Sequence, residues 1–385
     1  MQTSSNLHYK LILLFCVWRA FLLNWAFAAD YFFKYSPTFP YAREILPHFS
    51  SERAYFSWAN FDGIHYLTIA TTGYQSTALI QAFFPLYPLL VRFGTVLFGN
   101  PLVAGLLISH AAALLAVFVF LKLLQKRAAL SVQLRTLALL FLFPTSFFFG
   151  SLYTESLFLL LILTAFWCAD RKYWLFATLA AMLATATRIV GIALIPALII
   201  AYCEQKKWRL TLSDLPYLAL LATGSLGLLA YMLYLQQNFG DPLLFLHVQS
   251  GFGSGRTEHL VLFPQTVWRG IKIVLYSDIN WRWWTSLQEL FYSLVFFTSI
   301  VYGFFKQKKL KIPLSWLVFS LLCFLIPPST GTLSSMPRYV LILFPVFFIW
   351  AQTRLTTAKW LLIFSIFIVG LVLNTLLFIQ GYWVA

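Results

Sequence analysis

The sequence predicts an all-α, polytopic membrane protein with about eleven transmembrane helices. Three observations carry that expectation. The chain has 385 residues, of which 61% are hydrophobic and only 10% charged, too few charges for a surface that faces water throughout. Its apolar residues fall in runs of the length that crosses a bilayer core, about 20 residues or fewer where the bilayer thins. Its lysines and arginines sit in short clusters between those runs, which is how orientation in a membrane is encoded. The whole chain, 1–385, reads as a single membrane-embedded domain.

Taken in order, the expected spans are 10–29, 101–123, 135–150, 153–169, 173–187, 189–203, 215–236, 286–305, 312–327, 339–353 and 359–380. No small-residue cleavage site follows the first, so residues 11–29 read as a retained helix rather than a signal peptide. With these spans the clusters Lys122–Arg135, Arg171–Lys172, Lys206–Arg209, Lys306–Lys311 and Arg354–Lys359 share one side, the cytoplasmic one, with Lys10. Residues 83–98 are also apolar, but a crossing there would invert every later cluster. They are therefore expected as a helix lying along the outer surface, with Arg92 toward water. Two large external loops result, about 30–100 and 237–285, and loops this long in a compact protein are usually functional.

The net charge is +15, yet its dispersal between apolar runs argues against a nucleic-acid partner and for membrane lipids. Cys16, Cys168, Cys203 and Cys323 lie in or beside apolar runs without metal-ligand spacing, so disulfides and structural zinc are not expected. No HExxH, phosphate-binding loop or acidic cluster appears, and neither a metal nor another cofactor is expected. Phe252–Arg256 is too short and out of context for a nucleotide loop and reads as a linker.

The two sides differ in chemistry. Of sixteen basic residues placed in cytoplasmic loops, eleven are lysine; of ten placed outside, eight are arginine. These are Arg43, Arg53, Arg92, Arg188, Arg256, Arg269, Arg282 and Arg338. Arginine holds phosphate or carboxylate through a planar fork, whereas lysine acts as a point charge. Nine of the twelve acids also lie outside, so some of these arginines have structural partners and some are candidates for a substrate phosphate. Arg188 interrupts two short apolar runs and is costly there unless paired; an ion pair with Glu155 or Asp62 is its structural alternative. Arg338 opens a late helix, where a phosphate would gain from the guanidinium and the helix start. Arg19 lies within the first span, where snorkelling accounts for it.

Asp62 is the one carboxylate among aromatic residues in Trp58–Tyr66, and partial desolvation there suits a general base. A helix N-cap is an equally good account of it. Gly63 lets the backbone approach another chain or a ligand closely. Glu155 stands at a turn between two short helices, where Thr154 or Ser151 could instead cap the second. His247 and Gln249 could hydrogen-bond a sugar or phosphate. Trp281–Trp284 reads first as an interfacial belt, and second as a stacking surface for sugar.

The stretches FDGIHYLTIATTGY (61–74), AFFPLYPLL (82–90), FPTSFFFGSLYTESLF (143–158), ATRIVGIALIPAL (186–198), GDPLLFLHVQ (240–249) and SMPRYVLILFP (335–345) together resemble the PIG-V-like mannosyltransferases. These are membrane glycosyltransferases of the GT-C class that use polyprenyl-phosphate sugars. Phe61 stands where that family often has Trp. The resemblance implies a GT-C-type bundle with surface-lying helices in the first external loop, and Asp62 as catalytic base. It further implies an inverting transfer of a sugar, mannose, from a polyprenyl-phosphate donor to a lipid-linked acceptor on the non-cytoplasmic side. Arg188 and Arg338 would hold the donor phosphate; Glu155, His65, Tyr153, His247 and Gln249 would contact substrate. A lipid flippase or secondary transporter, and a non-catalytic scaffold, are the alternative readings. The short loops point to a prokaryotic plasma membrane, or to the endoplasmic reticulum in a eukaryote.

Overall fold

The structure, a computed structural model, describes residues 2–253 and 255–385; Ser254, in the stretch expected as a linker, lies outside them. It is all-α: 76% is helical, and no strand occurs among the described residues. The helices used below are α1 (Gln2–Ala28), α2 (Asp62–Thr72), α3 (Leu86–Phe98), α4 (Pro101–Leu124), α5 (Leu130–Leu142), α6 (Glu155–Asp170), α7 (Trp174–Thr185), α8 (Leu194–Gln205), α9 (Leu215–Ala222), α10 (Leu226–Phe239), α11 (Phe263–Tyr276), α12 (Trp281–Leu310), α13 (Leu314–Leu325), α14 (Phe344–Ala351) and α15 (Thr357–Ile379). Five segments among the described residues are long and apolar enough to cross a membrane: Leu7–Tyr31, Pro101–Leu124, Leu212–Phe239, Trp281–Leu310 and Thr357–Ile379. Leu86–Phe98, Leu130–Leu142, Trp174–Thr185, Ile189–Gln205 and Leu314–Thr330 are apolar but shorter.

The departures from the expected spans have local causes. The run 135–150 is helical only to Leu142, because Pro144 has no N–H to continue the ladder; a 3-10 turn, Ser146–Gly150, follows. The run 339–353 is broken into Met336–Tyr339, Val340–Ile342 and α14, with Pro337 and Pro345 near the starts of two pieces. In contrast α12 extends beyond 286–305 at both ends, and the Asn280 side chain caps its start by accepting from the N–H groups of Arg282 and Trp283.

The chain forms two compact units. The first holds residues up to Gly73, Tyr87–Leu160 and Thr353–Val384. Here α15 packs on α1 and α5, and its Gly370 lies so close to Pro144 that a Cβ would sit 2.9 Å from the ring. Beyond the Pro144 break, the rings of Phe147, Phe148 and Phe378 gather at centroid distances of 4.4, 5.0 and 5.4 Å. Helix α3 buries Tyr87 and Val91 and exposes Phe93, Val96 and Leu97. Its Arg92 is exposed and donates from Nε to the Ala70 carbonyl at 2.6 Å, near the end of α2.

The second unit holds Tyr74–Leu86 and Leu161–Gln352. In it α8 packs on α13, whose first N–H groups, those of Leu314 and Ser315, donate to the Glu204 carboxylate at 2.8 and 3.2 Å. A carboxylate at a helix start satisfies donors that have no partner within the helix. Close contact between α7 and α10 depends on a missing side chain, since a Cβ on Gly227 would sit 2.0 Å from the Met182 carbonyl oxygen. Backbone cannot give way as a side-chain tip can. Gly227→Ala is expected to destabilise this unit by about 1–3 kcal/mol, as overpacking does; a thermal unfolding midpoint equal to that of the parent would show that α10 can shift at no cost.

Candidate functional site

Helix α2 begins at Asp62 itself. The preceding residue, Phe61, occupies the N-cap position, and its side chain caps nothing, so Asp62 is not the N-cap. Its carboxylate is instead half-buried in the first turn, at the positive end of the helix. Phe61 has φ 57° and ψ −114°, in the region that favours glycine and costs other residues about 1–3 kcal/mol. It is held there by its ring, which packs on Phe39, Trp383 and Phe378 at 4.2, 5.2 and 5.9 Å.

The two residues flanking Phe61 are joined by one hydroxyl. Tyr153 Oη donates to the Asn60 carbonyl at 2.8 Å and accepts from the Asp62 N–H at 3.2 Å. Asn60 in turn donates from Nδ2 to the Phe378 carbonyl at 2.7 Å, and the Leu152 N–H donates to the Trp58 carbonyl at 2.9 Å. Gly63 makes the close approach its sequence position suggested, though to its own chain: a Cβ there would lie 3.0 Å from Ala59 Cβ and 3.3 Å from the Leu152 carbonyl. The Arg19 guanidinium lies over the Trp58 indole at 4.0 Å and close against Gly150.

Around this turn the first unit brings together Asp62, His65 and Tyr153, with Glu155 two residues after Tyr153 in the chain. His65 lies one helical turn after Asp62, and burial holds its imidazole below the ordinary pKa, partly opposed by the Asp62 charge. Glu155 is the first residue of α6 and is 1% exposed. Tyr153, also 1% exposed, spends its hydroxyl on the backbone at 60 and 62. Asn60 and Trp58 were not singled out from sequence; an Asn beside the one acid in an aromatic stretch was the available signal.

The second unit contains the other candidates. Arg188 precedes the 3-10 turn Ile189–Ala193, between α7 and α8, and is half-buried. Arg338 lies in the turn Met336–Tyr339 and is 4% exposed. Both guanidinium groups lie over the ring of Tyr339, at 5.0 and 5.5 Å. The helix start expected at Arg338 is only a four-residue turn; Pro337 has no N–H, and the Ser335 N–H already donates to Glu289 at 3.0 Å. The arginines, rather than a helix dipole, therefore define any anion site here. His247 is exposed and pairs with Asp241 at 2.6 Å, a hydrogen bond that holds the Asp241 carboxyl below its usual range. Gln249 accepts from Arg256. Three more of the external arginines have other contacts: Arg53 pairs with Asp30, Arg269 reaches the Gly331 carbonyl, and Arg282 lies on Trp281.

Compared with family models, with curated proteins and with solved structures, the chain matches none.

The Tyr153 clamp makes a local prediction. Tyr153→Phe leaves the ring and removes both hydrogen bonds, each worth about 1 kcal/mol net and more where a buried group is left unsatisfied. Amide exchange at Asp62 is expected to accelerate by roughly ten- to a hundredfold, measured by hydrogen–deuterium exchange. An unchanged rate would mean that the Phe61 ring cage alone holds the turn.

Proposed function

We propose that the chain is an inverting membrane glycosyltransferase of the PIG-V-like, GT-C type. It transfers a sugar, mannose on the resemblance, from a polyprenyl-phosphate donor to a lipid-linked acceptor on the non-cytoplasmic side of a plasma or endoplasmic reticulum membrane. The fold that goes with this reading is a bundle of about eleven transmembrane helices, with 83–98 along the outer surface. The observation that supports it most is the Asp62 turn: a half-buried carboxylate at a helix start, on a strained backbone fixed by Tyr153. Backbone strain of this kind persists where the surrounding structure over-determines it, and it clusters at active sites and ligand clamps.

In the proposed reaction Asp62 takes the proton from the acceptor hydroxyl as its oxygen attacks the anomeric carbon. The bond from that carbon to the phosphate oxygen breaks on the opposite face, and the polyprenyl phosphate leaves with the electron pair. Arg188 and Arg338 would stabilise the charge that gathers on it. His65, whose imidazole is made harder to protonate by burial, would hydrogen-bond a substrate hydroxyl. The quoted resemblance also maps onto breaks in the helices: SLYTES onto the Tyr153 turn, ATRIVG onto the Arg188 turn, SMPRY onto the Arg338 turn. A scaffold would need none of these residues, and a transporter would not transfer sugar.

The decisive assay is transfer from radiolabelled polyprenyl-phosphate mannose to native acceptor lipids. Asp62→Asn is expected to fold and insert normally and to lose at least ~99% of turnover, the range for a missing general base; substantial turnover by purified mutant removes the base assignment. Arg188→Lys and Arg338→Lys keep the charge and lose the fork. Each is expected to cost about 1.5–3 kcal/mol, or ten- to a hundredfold in rate or donor affinity. If both lower only thermal stability, their role is structural and the phosphate is held elsewhere.

A further inference from the structure

Helix α11 divides its surface three ways. One side is packed. Phe263 meets Phe297 and Phe324 at 4.9 and 5.1 Å, Thr266 is buried, and a Cβ on Gly270 would lie 2.9 Å from Leu333. At the helical 100° per residue, the neighbouring flank carries Pro264, Trp268, Ile271 and Leu275, with Trp268 59% and Leu275 68% exposed. The third flank carries Gln265, Lys272 and Tyr276, all exposed.

The connections of α11 say what lies against the apolar flank. Only residues 277–280 separate it from α12, one of the segments able to cross a membrane. Trp283 Nε1, in the first turn of α12, donates to the Val274 carbonyl at 2.9 Å, so the last turn of α11 is tied to the end of a spanning helix. A Trp/Leu flank beside a Lys/Gln flank at that level has the make-up of a helix lying in the headgroup region.

We propose that α11 lies in the bilayer interface, with Trp268 and Leu275 in the acyl boundary and Gln265 and Lys272 toward headgroups and water. The inner side of the same segment holds the loop that leads to Arg338. Val261 N–H donates to Ser329 O at 2.9 Å, Thr266 Oγ1 to Pro328 O at 3.0 Å and Arg269 Nη1 to Gly331 O at 3.2 Å. Met336–Tyr339 follows a few residues on. On the reading of Arg338 as a phosphate ligand, the bilayer surface thus sets the height of that arginine at the level of lipid phosphates. The lipid contact itself does not depend on that reading.

The test uses full-length protein in vesicles of phosphatidylcholine and phosphatidylglycerol. Cysteines are introduced one at a time, as Gln265→Cys, Trp268→Cys, Lys272→Cys and Leu275→Cys, in a Cys16→Ser background whose remaining thiols, Cys168, Cys203 and Cys323, are buried. The variants are labelled with bimane, and the background protein without an added cysteine is the labelling control. Labels at 268 and 275 are expected to lose most of their fluorescence to a nitroxide on the lipid acyl chain and little to aqueous iodide, with the reverse at 265 and 272. Iodide quenching at 268 and 275 equal to that at 272 would put the flank in water. Quenching of those two by neither agent would put it against protein, and acyl-chain quenching at all four would sink the whole helix below the interface. Any of these three results overturns the proposal. No turnover is measured, so the outcome stands apart from that of Asp62→Asn.

Discussion

A carbonyl released where an apolar helix breaks must find a donor, because neither lipid nor a packed interior supplies one. The fold is shaped by how that requirement is met. Phe141 O, left behind as α5 ends, accepts from Trp18 Nε1 at 2.8 Å and Ser146 Oγ at 2.6 Å. Pro144 O accepts from Asn374, Phe149 O from Ser156, and Phe378 O from Asn60. In the second unit the Val190 carbonyl accepts from Cys323 Sγ. Most of these donors come from a distant part of the chain, so satisfying the backbone also fixes which elements pack together.

The Asp62 turn is the extreme case. Its geometry is unfavourable at Phe61, and it persists because independent contacts hold it: an aromatic cage, the Tyr153 hydroxyl and the Asn60 side chain. The ring cage and the Asn60 side chain both reach Phe378 of α15, and the Tyr153 hydroxyl comes from the turn before α6, so the turn is held by two elements distant in sequence. The arginines show the complementary point. An excess of arginine over lysine did not by itself identify a site, since Arg53, Arg92, Arg256 and Arg269 are engaged by a carboxylate, carbonyls or an amide. Convergence of Arg188 and Arg338 on one tyrosine ring separates them from the others.

Helix existence was legible because apolar runs and charge clusters are local signals. The spans 101–123 and 359–380 nearly coincide with α4 and α15. Lengths were less legible, since hydropathy averages through a break: Pro144, Pro337 and Pro345 were visible, but their carbonyl partners were not. Asp62 could be picked out as a lone acid among aromatic residues. The part Tyr153 plays could not, because its partners are backbone atoms 91 and 93 positions away. The pairing of His247 with Asp241, only six positions earlier, was within reach of local reasoning and was missed by treating each residue alone.

The brevity of α7 bears on the membrane as well as on the protein. Twelve residues rise only about 18 Å, against about 30 Å of hydrocarbon in an ordinary bilayer. Its outward residues Leu175, Phe176, Leu179 and Leu183 are exposed and suited to acyl chains. Wherever that face meets lipid, the leaflets must dip to meet it or flanking polar groups must stretch outward, at a fraction of a kcal/mol per ångström of mismatch. On the proposed reading of α7 as a span, that mismatch would bias the chain toward thin membranes. In a thicker one the lipid around this helix would be thinned, leaving a headgroup less oil to cross.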